Sequence, residues 1–393
     1  MREEQTLATT PVGTATVLRR RRRLPQLSPA SRYSLAVFGA TRVGVLLAGL
    51  VYYLGNRRVR PRNLAYRWDA WWYLNIARHG YSASLRPPLT VARFHGRWSE
   101  WAFFPAFPLS IRLLHDLTRV QYAACGFALS LAFGFLAVRT MYALGQRYGG
   151  HDVGRSTALL FAAWPGSAVL GLPYSEGLFV AAAAGALLAL QSERWVLAGL
   201  LGAVASGTRA TGLAVVAAAA AVACVRLVRQ RTLRPMVAPA LAACGLLAFV
   251  GYGWAMTGDP LVWRHAESLW HQKLDFGAEM LQGWVRLLPH RGLPAVTSLL
   301  EIFGAVMVAG LLVASWQCRR RWTLPMAVYA GVVLATMVLY SGVGTRPRMV
   351  LALLPCFVWL AAWLRPRTTT MVAMCLASSL SLVSYLWLGG VIP

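Results

Sequence analysis

The sequence predicts an all-α polytopic membrane fold of about eleven transmembrane helices with two long outer loops, and three observations carry that prediction. Hydrophobic residues fill 57% of the 393 positions against 13% charged, and mean hydropathy is +0.51. A soluble domain of this length needs a polar surface that such a composition lacks. Apolar runs close to the length that crosses a hydrocarbon core recur from Tyr33 almost to the C-terminus. The basic residues, finally, fall in short clusters between those runs.

Residues 1–32 are polar, proline-bearing and basic, which predicts a disordered cytoplasmic tail ahead of a single membrane domain over 33–393. The arginine run at 19–23 is like a signal n-region, yet no small-residue cleavage site follows the first span, 33–54, which is therefore expected to remain as an anchor. Further spans are expected at 123–144, 156–172, 175–190, 195–207, 211–227, 236–256, 297–316, 323–341, 349–364 and 370–388. The pieces 195–207 and 211–227 are short, and read as a broken pair around Thr208 and Arg209 or as one long tilted helix. No long repeat or inverted duplication is visible, which counts against a secondary transporter. The six cysteines sit inside apolar spans or at their ends without CxxC spacing, and read as small buried apolar residues.

The net charge of +26 does not predict nucleic-acid binding, because the arginines do not line one soluble face. They fit a positive-inside signal and contact with anionic membrane lipids. With eleven spans the clusters at 19–23, at Arg139, Arg147 and Arg155, at 226–234, at 319–321 and at Arg365 and Arg367 share one side, expected to be cytoplasmic. The loops at about 55–122 and 257–296 then face outward with most of the acidic residues, although the first also carries nine arginines between 55 and 107.

The first outer loop contains RWDAWWYLNIARHGY at 67–81. A helix starting at Asp69 puts Asp69, Trp72, Tyr73 and Ile76 on one face. Its aromatic residues, Trp68, Trp72, Tyr73 and Tyr81 among them, suit the headgroup region, where they are expected to meet lipid or acceptor. Asp69 is a candidate catalytic carboxylate at that depth; the alternative makes it the helix N-cap, with Gly80 as the C-terminal cap. Next, WSEWAFFPAFP at 98–108 reads as a proline-stiffened lead-in to a surface helix or as an interfacial anchor, with Glu100 its one candidate for acid–base or hydrogen-bonding work.

PYSE at 173–176 marks the outer end of two spans, with Ser175 as N-cap and Glu176 either a first-turn acid or a catalytic group. Arg209 interrupts an apolar stretch and requires a carboxylate, a phosphate or water, with Glu176 a candidate partner. The second outer loop opens on the turn GDPL at 258–261 and carries His265, Glu267 and His271; the histidines diverge on a helix and no third ligand joins them, so no metal site is expected. GVGTRPR at 342–348 offers Arg346 and Arg348 as a phosphate clamp or, equally, as a lipid-headgroup contact without catalysis. There is no DxD, no Gly-rich nucleotide loop and no HExxH, which argues against a soluble nucleotide-sugar donor.

Taken in order, RWDAWWYLNIARHGY, EWAFFPAFP, PYSEGLF, SGTRATG and GDPLVW resemble the GPI mannosyltransferase II-like (PIG-V type) proteins, a family of GT-C fold glycosyltransferases. The resemblance spans about 65–355, and the arginine-rich composition resembles that of actinobacterial-type envelope members. It implies a polyprenyl-phosphate-mannose donor, no cofactor beyond that substrate, an envelope lipid, glycan or protein acceptor, and an acid at Asp69 in the first outer loop. It departs where the family often has Arg-Tyr and this chain has Arg346-Pro347-Arg348.

On this reading the chain is a multi-pass protein of the cell membrane, acting at the extracytoplasmic face. Displacing a phosphate from an anomeric carbon needs a base for the acceptor hydroxyl and cations for the leaving phosphate. Asp69 would be the base and Arg67, Arg209, Arg346 and Arg348 the phosphate ligands, in one inverting, metal-independent displacement. His271 joins the aromatic residues as an acceptor or lipid contact. Two rival readings are a flippase for a lipid-linked intermediate and a non-catalytic envelope scaffold.

Overall fold

The computed structural model describes residues 27–55, 68–85, 98–278, 281–282, 293–341 and 346–388. Those residues are all-helical, without a β-strand; an isolated bridge pairs Leu274 with Tyr340. In chain order the helices are α1 (Pro29–Gly55), α2 (Asp69–His79), α3 (Ala106–Thr118), α4 (Tyr122–Ala163), α5 (Glu176–Gln191), α6 (Trp195–Ser206) and α7 (Leu213–Gln230). They continue with α8 (Val237–Thr257), α9 (Val262–Leu269), α10 (Leu293–Gln317), α11 (Leu324–Leu339), the single turn α12 (Pro347–Val350), α13 (Leu354–Trp363) and α14 (Pro366–Leu388).

Among the described residues five helices are long and apolar enough to cross a membrane, or six if a bent pair counts as one span; further apolar stretches of 10–17 residues are α6, α11, α13 and the Ile302–Gln317 part of α10. Among the described residues the bundle thus mixes long and short apolar helices, and length and composition alone do not reach the expected count of about eleven spans. The clearest change lies at 156–172. Helix α4 stops at Ala163, and a 3-10 segment, Pro165–Gly171, bends by 104° into α5. Proline at the start of that segment cannot continue the α-helical hydrogen bonding, so hydropathy reads as one span what the backbone breaks in two. Within α4 the backbone leaves helical geometry at Gly149 and Gly150, and the φ of +84° at Gly150 is a conformation that a side chain rarely tolerates.

The short helices pack through small residues. A Cβ on Gly199 of α6 would stand 2.6 Å from the Leu241 Cβ of α8, and one on Gly202 would stand 2.5 Å from the Ala242 Cβ. Such close approach is how apolar helices gain dispersion contact without a hydrophobic driving force between them. Of the two readings of 195–227, a broken pair or one long tilted helix, the broken pair is present: α6 ends at Ser206, Arg209 is extended, and a 3-10 turn, Ala210–Gly212, leads into α7.

Two aromatic clusters carry the outer segments. One joins Trp72, Tyr73 and Phe107, with Trp72 stacked on Phe103 at 5.5 Å; the other joins Trp101, Phe104, Phe249 and Val262. Phe103 is extended before α3 begins at Ala106, so the proline-rich block leads into a helix as the sequence predicts. Leu109, Leu113 and Leu117 form the exposed face of α3, while Phe107 and Ile111 are buried on the other.

Candidate active site

Helix α2 begins at Asp69, as its sequence predicts, but Asp69 is not the cap. The cap position is Trp68, held at φ +52°, and no side chain caps the helix. Positive φ at a bulky residue is strained, and the strain sits directly ahead of the acid. Gly80 does terminate the helix, with φ +79° and its N–H donated to the Ile76 carbonyl at 2.8 Å.

The Asp69 carboxylate meets a residue from the far end of the chain. Arg348 Nη2 lies 2.5 Å from Asp69 Oδ2, and Arg348 Nε donates to Glu176 Oε1 at 2.5 Å. Arg209 Nη1 donates to the same Glu176 oxygen at 2.5 Å, so the candidate partner of Arg209 is its partner in the structure. Two acids and two arginines thus alternate in one chain, Asp69, Arg348, Glu176, Arg209, whose formal charges cancel. Unpaired charges in an apolar setting are costly, which gives the pairing its physical reason.

Each member is positioned by a different element. Arg348 stands in α12, where Trp164 Nε1 donates to the Pro347 carbonyl at 2.6 Å. A Cβ on Gly166 would lie 2.1 Å from that same carbonyl oxygen, so the 3-10 segment before α5 lies flush against the arginine's backbone. The guanidinium of Arg348 also sits 4.6 Å over the Tyr174 ring. Burial opposes the charge on Arg348, but the Asp69 and Glu176 carboxylates override it and hold its pKa well above the usual arginine value. Ser175 holds the N-cap position of α5, but its hydroxyl makes no cap bond; it shares a hydrogen bond of 2.7 Å with the Tyr73 hydroxyl. Burial raises the Tyr73 phenol well above its ordinary range, so it stays protonated and is no base.

Side-chain exposure separates the two acids: Glu176 is 5% exposed and Asp69 23%. Glu176 Oε2 is buried with no hydrogen-bond partner among the described residues. Beside it lies a cavity of about 30 Å³, room for roughly one water, lined by Glu176, Arg209, Arg348, Met349 and Thr336 among others.

The remaining candidates divide. Glu100 lies apart from this chain of charges, buried, with its Oε1 accepting the Ser82 backbone N–H at 2.5 Å; it holds the turn after α2. Trp72 and Tyr73, expected to meet lipid or acceptor, are instead buried in aromatic packing because α2 turns that face onto α3 and the Phe103 block. Tyr81 stacks on Trp101 at 4.6 Å and donates its hydroxyl to the Phe103 carbonyl at 2.6 Å. Trp68 is exposed, His271 places its ring edge-on to Trp98 at 5.8 Å, and Arg346 stands at the N-cap position of α12 without a side-chain cap bond. Arg67 lies outside the described residues.

Sequence reasoning passed over Arg42. It is buried in the middle of α1 and donates to the Ser167 carbonyl at 2.6 Å and to Ser167 Oγ at 3.0 Å, pinning the 3-10 segment that supports Arg348. A lone arginine inside an apolar run was the signal available.

The profile of the family described as Mannosyltransferase (PIG-V) matches residues 49–248. GPI alpha-1,6-mannosyltransferase 2 of Rattus norvegicus is 29% identical over 157 residues, and that of Cricetulus griseus 32% over the same length. Each alignment covers 37% of this chain and only 29% of the relative. Among solved structures, ArnT from Cupriavidus metallidurans bound to undecaprenyl phosphate superposes with a TM-score of 0.50 at 16% identity, over 85% of this chain and 62% of that one. ArnT is a GT-C glycosyltransferase, and the likeness is one of fold.

Proposed function

Since the chain belongs to the Mannosyltransferase (PIG-V) family, we propose that it transfers a hexose, with mannose the expected sugar, from a polyprenyl-phosphate carrier to an envelope lipid, glycan or protein at the extracytoplasmic face of the cell membrane. The observation that carries the proposal is the alternation of two carboxylates and two guanidiniums across four elements distant in sequence. It supplies a base and a phosphate cradle in one place.

In the proposed reaction the acceptor hydroxyl oxygen forms a bond to the anomeric carbon while the bond from that carbon to the phosphate oxygen breaks. Asp69, the more exposed acid, takes the hydroxyl proton. The polyprenyl phosphate leaves as an anion held by Arg348 and Arg209, with Arg346 adjacent. Those cations stabilise the charge that develops on the leaving oxygen, so the scheme uses no metal, and a single displacement inverts the anomeric centre. Glu176 reaches neither reactant in this scheme; it orients both arginines.

Arg348 links binding to catalysis. Its guanidinium is shared between Asp69 and Glu176, and an incoming phosphate competes with Asp69 for it. Donor binding would thereby release the carboxylate to act on the acceptor, an order of events that favours donor first. A membrane assay with labelled polyprenyl-phosphate-mannose, followed by identification of the labelled product, tests the proposal. Absence of transfer to any envelope fraction, with the protein inserted and the donor intact, would overturn it in favour of a flippase or scaffold.

A further inference from the structure

A second feature lies at the opposite end of α5 from the acid–arginine chain. Helix α5 leaves that chain at Glu176 and ends at Gln191, about 24 Å along its axis. There the turn through Arg194 starts α6, and the turn through Arg234 starts α8. The two helices run side by side in the same direction, because Gly199 meets Leu241 and Gly202 meets Ala242.

Between their first turns opens a groove of about 430 Å³, lined by Arg194, Trp195, Val196, Leu197, Arg234 and Val237. Its wall is almost wholly apolar, and Val196, Leu197 and Val237 are exposed along it. Arg194 and Arg234 are also exposed, and neither has a carboxylate partner among the described residues. Glu193, next to Arg194 in sequence, is occupied by Arg226. An apolar channel with two uncompensated guanidiniums at its rim matches an amphiphile with an acyl chain and a net negative headgroup. A zwitterionic headgroup brings its own cation to a place that already holds two.

We propose that this groove is a binding site for an anionic glycerophospholipid, one acyl chain lying along Trp195, Leu197 and Val237 and its phosphate between Arg194 and Arg234. The site lies on the arginine-rich side of the bundle and makes no demand on the transfer reaction, so it stands or fails independently of the proposed activity.

Native mass spectrometry of the purified full chain, with phosphatidylglycerol or phosphatidylcholine added, tests it. Wild-type protein is expected to retain phosphatidylglycerol preferentially, by on the order of tenfold. The double variant Arg194→Gln/Arg234→Gln should lose that preference. The control Arg320→Gln/Arg321→Gln removes two exposed charges elsewhere and should keep it. Equal retention of both lipids by wild type, a preference that survives in the first variant, or an equal fall in both variants would overturn the site; the last result would mean attraction by net charge alone.

Discussion

Arg348 bridges Asp69 and Glu176, giving Nη2 to one carboxylate and Nε to the other, each at 2.5 Å. One guanidinium therefore fixes the candidate base and the buried acid at once, and the planar fork allows it.

Lysine at this position cannot reproduce the bridge, because an ammonium is a point charge on a flexible stem. Arg348→Lys is expected to lower kcat/KM by roughly ten- to a hundredfold, the equivalent of one charge-assisted contact of about 1.5–3 kcal/mol. Near-normal transfer by Arg348→Lys in membranes would show that the bridge is dispensable.

Asp69→Asn discriminates between a base and a structural ion-pair partner. The amide keeps the shape and can still accept from Arg348, but it cannot take a proton. Transfer should fall by about 10²- to 10⁴-fold at matched protein levels. Retained transfer would leave the base unassigned.

Arg209 donates to the same Glu176 oxygen as Arg348 but makes no ion pair with Asp69 among the described residues. Arg209→Gln should raise the KM for the polyprenyl-phosphate donor more than it lowers kcat, by about tenfold or more. An unchanged donor KM would remove Arg209 from the phosphate cradle.

Outside the bundle, burial pushes Glu267 of α9 up to about 7, with Arg264 at 3.5 Å opposing. An acid whose folded pKa is raised binds more protons folded than unfolded, so its contribution to stability declines as pH rises from its ordinary value near 4.5 through 7. Glu267→Gln should therefore melt higher than wild type at pH 8 and alike at pH 4. The same melting difference at both pH values would contradict a raised pKa.

Orientation is tested by labelling. Reporters fused after Arg234 and Arg321 should report cytoplasm, and a tag near Arg86, outside the described residues, should react with an impermeant label added from outside. A cytoplasmic first loop would move the proposed site to the other face.

Hydropathy and local chemistry determined much of this protein. The apolar runs gave the helical membrane class, and the RWDAWWYLNIARHGY stretch gave α2 from Asp69 to its stop at Gly80, while the interruption at Thr208 and Arg209 marked where a break or a long tilted helix could lie, and the structure has the break. These features depend on residues within a turn or two of one another, and a sequence displays such neighbours directly. Only the tertiary structure decided that Arg348 belongs with Asp69, that Glu100 turns to the Ser82 backbone and away from the other acids, and that Trp72 is packed inside. Which charges meet depends on where several helix ends converge and on the bend between α4 and α5 that sets α12 beside α2. Hydropathy, a sum over neighbours along the chain, carries no information about that convergence.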